Sequence, residues 1–394
     1  MAKDLERIER TRKAMHEQQV DALICRLPEN IVMLTGYWPM NGFAFLVFPV
    51  DKEPVLIAPV PEEELARESW VANIRAFKWG LVDSGDPYAV IPGILKDTAA
   101  QLGLVGKRIG YEGSFEFIAA PYVGAEPGTF SQVTLGMIQR AFGDNLFDAT
   151  GLIHKLRLYK TPAEAEKLRI ANEIALMGLT AFSEKVAPGN TEIEVVSAVE
   201  SAIMQGGTGY KGVKVARAWA SVMSGARAFT AYKPHLLTTH YRLASGDIAL
   251  LELVTVADGW WSDLTRTRVA GDAKPEDLEK WLVVVSAQRA AFSAIRPGVP
   301  SNQVDKAARD TIGKAGLGRY FIHHTGHGVG LRYHEPEPFL HPDVGTLLEA
   351  GMVSSVEPGI YIQGWGGMRC EDDILVTETG VEILSEFSRQ LADS

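Results

Sequence analysis

Two hydrophobic periods take turns along this chain and mark out its elements. The opening stretch, MAKDLERIERTRKAMHEQQ, sets apolar residues among charges at helical spacing and predicts a helix over residues 4–19. ALICRL, GFAFLVFPV and EPVLIAPV are short, apolar and rich in β-branched or aromatic residues, which predicts strands, with turns at PEN and DKEP. Residues 61–150 alternate helical stretches (EEELARESW, AVIPGILKDTAAQLGL) with short strands (RIGYEG), the pattern of an α/β domain. The texture changes at HKLRLYKTPAEAEKLRIANEIALMGL, where Thr161 and Pro162 supply a cap and a first-turn proline for a long amphipathic helix. The boundary is placed near residue 155, giving domains 1–154 and 155–394. The second domain reads as two helices, strands with a hairpin, two more helices and a final set of strands. Within that final set, the Gly-rich GWGGMR reads as a connection between two strands.

Composition narrows the function classes. A length of 394 residues fits two to three domains. The net charge of −10 argues against a nucleic-acid partner, which calls for a basic face. Only Cys25 and Cys370 occur, so no disulfide framework is expected and a reducing, cytoplasmic setting fits. The charged start carries no apolar signal region and no 18-residue apolar run follows, so neither secretion nor a membrane span is expected.

The candidate chemistry lies in four stretches of the second half. They are Glu252 to Asp263 (ELVTVADGWWSD), His323 to His334 (HHTGHGVGLRYH), Glu357 in VSSVEPGIY, and Glu371 in MRCEDD. Hard oxygen ligands with an imidazole suit manganese, zinc, cobalt or iron(II). The first stretch can be read geometrically. Asp258-Gly259 is a strong two-residue hairpin signal, so Ala257 pairs with Trp260 and Val254 falls opposite Asp263. Glu252 shares the face of Val254 and lies diagonal to Asp263, roughly 7–8 Å away at the backbone. Two acids on an otherwise apolar hairpin need a partner or a metal. In the second stretch, glycines at 326, 328 and 330 allow close backbone approach around His327, the ligand candidate. Arg369, two residues before Glu371, is placed to steady that carboxylate by a charge-assisted hydrogen bond.

The order and wording of these stretches resemble the pita-bread metallopeptidases: prolidase, aminopeptidase P, methionine aminopeptidase and the related creatinase. The resemblance is specific over residues 155–385; before residue 150 it is general, through phrases such as NIVMLTGY. It implies an α/β amino-terminal domain followed by a pita-bread catalytic domain. It implies Glu252, Asp263, His327, Glu357 and Glu371 as ligands of one or two divalent ions, Glu371 bridging two. His323 and His334 would line the cleft and donate hydrogen bonds to substrate or oxyanion, while His324, without a family match, reads as surface or supporting. Glu357 would shuttle the proton.

Two departures stand out. Glu252 occupies the position of the family's first metal aspartate, longer by a methylene. Tyr232, in RAFTAYKPH, occupies the position of a family histidine, with His235 three residues on as the substitute after a local shift. The leading expectation is a metal-dependent hydrolase of Xaa-Pro bonds in small peptides, a dipeptidase before an aminopeptidase. A dipeptidase needs a cation for the proline carboxylate, for which Arg332 is the first candidate and Arg369 the second. The alternatives are a C–N hydrolase or lyase acting on a small zwitterion, and a binding protein without catalysis. The resemblance also implies a homodimer, with the TGYWPMNGF loop (residues 35–43) reaching a partner's site.

Overall fold

The computed structural model describes residues 3–40, 43–114, 131–233 and 238–392. The described residues divide into two compact units, one ending at residue 157 and the other beginning at residue 158.

The first unit strings together α1 (Leu5–Glu17), β1 (Ala22–Cys25), α2 (Pro28–Thr35), β2 (Phe45–Pro49), β3 (Val55–Pro59), α3 (Glu63–Arg67), β4 (Asn73–Phe77), α4 (Pro87–Leu102), β5 (Ile109–Tyr111), α5 (Gln132–Phe142), β6 (Leu146–Asp148) and α6 (Thr150–Leu158). Its six strands form one sheet in the order β4-β3-β2-β1-β5-β6. β1 to β3 are antiparallel neighbours, whereas β3–β4, β1–β5 and β5–β6 pair in parallel. The expected turn at PEN is instead the first turn of α2. Pro28 takes a first-turn position, where its missing N–H is no loss, and Gly36 closes the helix in the left-handed conformation at φ 79°. The β-branched pair Ile31-Val32 disguised that helix in the sequence.

The second unit continues with α7 (Pro162–Lys185), α8 (Glu192–Gly207), β7 (Ala216–Ser224), β8 (Ile248–Ala257), β9 (Trp260–Val269), α9 (Pro275–Ala294), α10 (Ser301–Lys314), β10 (Gly326–Gly328), β11 (Glu335–Leu340), β12 (Val353–Val356), β13 (Gly359–Ile362), β14 (Gly366–Arg369), β15 (Asp372–Val376) and β16 (Val381–Ile383). Thr161 caps α7 with a full capping box to Glu164. Each half of this unit sets a helix pair behind a sheet. The pair α7/α8 covers one face of β7-β8-β9 through Ile174, Val199, Val222, Leu251 and Leu264. The pair α9/α10 packs behind β11, β12 and β14 through Val284, Ala308, Leu340, Val356 and Met368. The opposite face of β7-β8-β9 carries Trp219, Glu252, Val254, Asp263 and Thr265, because cross-strand partners share a face. GWGGMR is only partly a connection: Gly366–Arg369 is itself a strand, paired antiparallel with Gly359–Ile362. Glycines at 366 and 367 let this strand lie against the carbonyls of Gly225 and Ala228, which low strand propensity alone would not suggest.

Candidate metal centre

The β8–β9 hairpin has the expected register. Ala257 pairs with Trp260, Val254 with Asp263, and Glu252 with Thr265. Asp258 and Gly259 both take positive φ, 48° and 89°, as a twisted two-residue hairpin turn requires. Asp263 is almost fully buried, and its backbone N–H donates to Asp373 Oδ2 at 3.1 Å. Glu252 stays partly open.

The histidine stretch reaches the same place from the other half. Arg309 on α10 is clamped by Asp305 and donates to the carbonyls of Phe321 at 2.9 Å and His323 at 2.8 Å. Thr325 Oγ1 donates to the same Asp305. His327 then lies on β10, between β11 and β12. A Cβ on Gly326 would stand 2.0 Å from the Ser355 carbonyl oxygen, and one on Gly328 would stand 2.0 Å from that of Glu337. Only glycine fits on either side of the histidine.

Four carboxylates, from Glu252, Asp263, Glu357 and Glu371, converge with His324, His327 and His334. One ligand atom from each of Glu252, Asp263 and Glu371 lies within 4.8 Å of the others, and the same holds for Asp263, His327 and His334 and for His324, His327 and Glu357. His327 Nδ1 is 3.0 Å from the Gly328 carbonyl oxygen, which can only accept, so Nδ1 carries the proton. The bare lone pair of Nε2 then faces Glu357 Oε1 at 3.4 Å and Asp263 Oδ2 at 3.6 Å. Two carboxylate oxygens gathered around one bare imidazole nitrogen suit a cation. Burial holds His327 down at about 4, so protonation does not relieve the crowding near neutrality. Burial first, and then the neighbouring carboxylates, push Asp263 and Glu371 well above the usual carboxylate range. Asp263 Oδ1 is buried without a hydrogen-bond partner. Oxygen donors with one imidazole, an orphaned carboxylate oxygen and surplus negative charge fit a divalent metal.

This geometry has close relatives. Residues 166–378 match the model of metallopeptidase family M24, and residues 7–159 match that of the creatinase/prolidase N-terminal domain. The chain belongs to metallopeptidase family M24. Its pita-bread fold and its standing as a peptidase follow from that membership. An Xaa-Pro dipeptidase of Pyrococcus furiosus is 30% identical over 386 residues, covering 98% of this chain and 99% of that one. Among solved structures, an Xaa-Pro dipeptidase from Bacillus anthracis superposes with a TM-score of 0.79 at 27% identity, covering 98% of this chain and 99% of its own. An X-Pro aminopeptidase from Thermotoga maritima MSB8 reaches 0.80 at 24% identity, covering 97% and 100%, a likeness of fold alone.

Around this M24 site the supporting groups differ from the sequence reading. Arg369 does not hydrogen-bond Glu371 directly. Its Nε lies 3.8 Å from that carboxylate and donates at 2.8 Å to Thr265 Oγ1, which donates in turn to Glu371 Oε2 at 2.7 Å. Another Arg369 nitrogen pairs with Glu252, and Nη1 donates to the Tyr361 hydroxyl at 3.1 Å. The guanidinium is buried and engaged by protein groups, so it braces carboxylates instead of facing a substrate. His323 is also committed internally. Its Nδ1 donates to the His324 carbonyl at 2.7 Å, so Nε2, 2.9 Å from the Tyr361 hydroxyl, accepts. Burial lowers His323 further, and no N–H remains to point at an oxyanion.

His334 Nε2 stands 3.2 Å from Asp263 Oδ2, its ring 3.7 Å from that of His327. His324 is more than surface. Its Nε2 lies 3.4 Å from Glu357 Oε1; burial alone would lower its pKa, but the hydrogen bond with Glu357 outweighs that and raises it. Tyr232 sets its ring edge-on to Tyr361, 5.5 Å between centroids, and is 37% exposed. Its hydroxyl has no hydrogen bond among the described residues; His235 lies outside them. Arg332, two residues before His334 in the chain, is half-buried.

Tyr361, Thr265 and Asp373 are the groups the sequence reading missed. Thr265 carried a signal, since it follows Asp263 by two on the same strand face.

Proposed function

We propose that this M24 peptidase hydrolyses Xaa-Pro bonds in small peptides and acts as a dipeptidase. The grouping of Glu252 and Glu371 with Asp263, and of Asp263 and Glu357 with the bare His327 Nε2, carries the reading. The full-length likeness to an Xaa-Pro dipeptidase supports its substrate class. These five residues would hold one or two divalent ions, with manganese, zinc or cobalt suited to the donor set. Such ions supply Lewis-acid activation of water and of the scissile carbonyl.

The chain's own groups do the rest. Glu357 is kept charged by its hydrogen bond with His324 and is placed to take a proton from the attacking water and pass it to the leaving nitrogen. His334 and Tyr232 would steady the developing oxyanion through an N–H or O–H. Thr265 and Arg369 hold Glu371 and Glu252 in one orientation. Arg332 is the proposed anchor for the proline carboxylate in a dipeptide. A homodimer and a cytoplasmic setting belong to the same reading and rest on the family resemblance and the cysteine usage.

The test is activity of metal-stripped protein on Xaa-Pro dipeptides and Xaa-Pro-containing tripeptides, reconstituted with manganese, zinc and cobalt in turn. Restored cleavage of dipeptides over tripeptides is expected. Full activity after exhaustive chelation would sink the metal-dependent reading, and preference for tripeptides would make the chain an aminopeptidase.

A further inference from the structure

One buried amide joins the backbones that carry Glu357 and Glu371. Gln288 on α9, fully buried, donates from Nε2 to the carbonyls of Val356 and Cys370, both at 3.1 Å, and to Asp372 Oδ2 at 3.0 Å. Val356 immediately precedes Glu357, and Cys370 immediately precedes Glu371. Carbonyls can only accept, so the amide oxygen of Gln288 points the other way, where Arg389 Nε donates to it at 2.9 Å. Arg389 Nη2 donates to Asp372 Oδ2 at 2.6 Å, while Ser385 Oγ and Arg266 donate to Asp372 Oδ1. Arg389 comes from a C-terminal segment without helix or strand. Trp281 Nε1 holds that segment by the Arg389 carbonyl at 2.7 Å, and the Val269 N–H by the Leu391 carbonyl at 2.8 Å. The Leu391 side chain, 2% exposed, sits in the core behind β12 and β14.

We propose that Arg389 is a positioning residue of the metal centre: through Gln288 and Asp372 it holds the backbones of Glu357 and Glu371 at the spacing at which both carboxylates reach the centre. The inference rests on the reading of Glu357 and Glu371 as metal ligands. The need for such a tie is electrostatic. Two carboxylates of like charge in a buried site repel each other, and the repulsion pushes apart the strand ends that bear them. Thr265 and Arg369 steady the Glu371 side chain, but they leave the distance between the two backbones to other groups. The Gln288 amide spans that distance, and Arg389 holds the amide by its oxygen. A guanidinium suits the place because Nε and Nη2 reach two acceptors at once, whereas an ammonium reaches from a single point. The C-terminal segment thereby contributes to metal binding without supplying a ligand.

The experiment takes two readouts on the full-length chain. One is affinity for manganese and for zinc in a metal-buffered titration. The other is the rate at which iodoacetamide alkylates Cys370 in the metal-free chain, resolved from Cys25 by peptide mass spectrometry; Cys370 is fully buried, with Sγ 3.4 Å from Gln288 Oε1. Arg389→Ala is expected to weaken metal affinity about 10-fold, with kcat recovering at saturating metal and KM little changed. It should also speed Cys370 alkylation about fivefold, as the freed amide lets the strand ends open. Arg389→Lys, which can keep one of the two bonds, should fall between. Leu391→Ala loosens the same segment without touching Gln288 or Asp372 and reports the effect of lost stability alone; its metal affinity should stay near wild type. Equal losses of affinity in Arg389→Ala and Leu391→Ala, or wild-type affinity in Arg389→Ala, overturn the proposal. If wild type binds neither ion, the metal-ligand reading fails, and Cys370 decides the backbone tie: faster alkylation in Arg389→Ala than in Leu391→Ala upholds it, and equal rates overturn it.

Discussion

The hairpin bearing Glu252 and Asp263 and the stretch bearing His323 to His334 arrive at one carboxylate cluster by different physical routes. The hairpin is a continuous ten-residue ladder whose register follows from a two-residue turn, so its two acids are aimed by local geometry. The histidine stretch has little regular structure. β10 is three residues long, and its position comes from distant partners: Arg309 on its carbonyls, Ser355 Oγ on the His327 N–H at 3.2 Å, and the close carbonyls of Ser355 and Glu337. Side-chain aim is therefore robust in one half and dependent on long-range packing in the other. Yet the ligand sets cross between halves, since Asp263 groups with His327 and His334, and Glu371 with Glu252 and Asp263.

Breaking a ligand on either side tests that crossing most severely. Asp263→Asn from the hairpin and His327→Gln from the histidine stretch should each lower kcat by about 10²–10⁴ and reduce bound metal, measured by elemental analysis after gel filtration. A variant that kept both wild-type metal and wild-type kcat would remove its residue from the centre.

Glycine substitutions should separate the two kinds of construction. Gly328→Ala, on a strand that is itself held between β11 and β12, drives a Cβ to 2.0 Å from the Glu337 carbonyl oxygen and should destabilise the chain by about 3 kcal/mol or more. Gly259→Ala strains the left-handed turn at φ 89° and should cost about 1–2 kcal/mol, leaving the hairpin paired. Calorimetric melting of both variants checks the difference; equal losses would mean the histidine stretch is no more dependent on packing than the hairpin.

The same contrast explains what the sequence disclosed. The facing of Glu252 and Asp263 was legible because a period of two and a strong turn define it. His327 was legible because glycines bracket it, and α7 because Thr161-Pro162 announces it. Tyr361, Asp373 and the true partners of Arg369 were not, because they are set by hydrogen bonds between segments up to 138 residues apart. His323 looked like a donor from its position alone; only the nearby carbonyl and phenol reveal that both ring nitrogens are occupied. The strand Gly366–Arg369 was hidden by the glycines that let it pack, and α2 by its β-branched residues.

Thr265 sharpens the comparison from a residue that belongs to the hairpin but serves the other half. Its hydroxyl accepts from Arg369 and donates to Glu371. Thr265→Val keeps the shape and removes both bonds, leaving a buried guanidinium nitrogen and a carboxylate oxygen less well held. Metal affinity should weaken about 10–100-fold, read in a metal-buffered titration. Unchanged affinity would show that the hairpin's own ligands suffice to position Glu371.

The smallest effect is expected at Tyr232, which stands outside both constructions. Its ring leans edge-on against Tyr361, and its hydroxyl has no hydrogen bond among the described residues, so the group is available to a substrate oxygen. An oxyanion donor in a water-excluded site is worth on the order of 10²–10³ in turnover. Tyr232, however, is 37% exposed, and water can take over much of what a neutral O–H provides there. The contribution should fall to that of an ordinary hydrogen bond, about 1 kcal/mol. Tyr232→Phe keeps the packing on Tyr361 and should lower kcat by roughly 5- to 10-fold, with KM and metal content little changed. A loss above 10²-fold would mean that the site closes over Tyr232 during the reaction and that the phenol is as well shielded as the ligands. Wild-type kcat would make Tyr232 a wall residue and leave the oxyanion to His334.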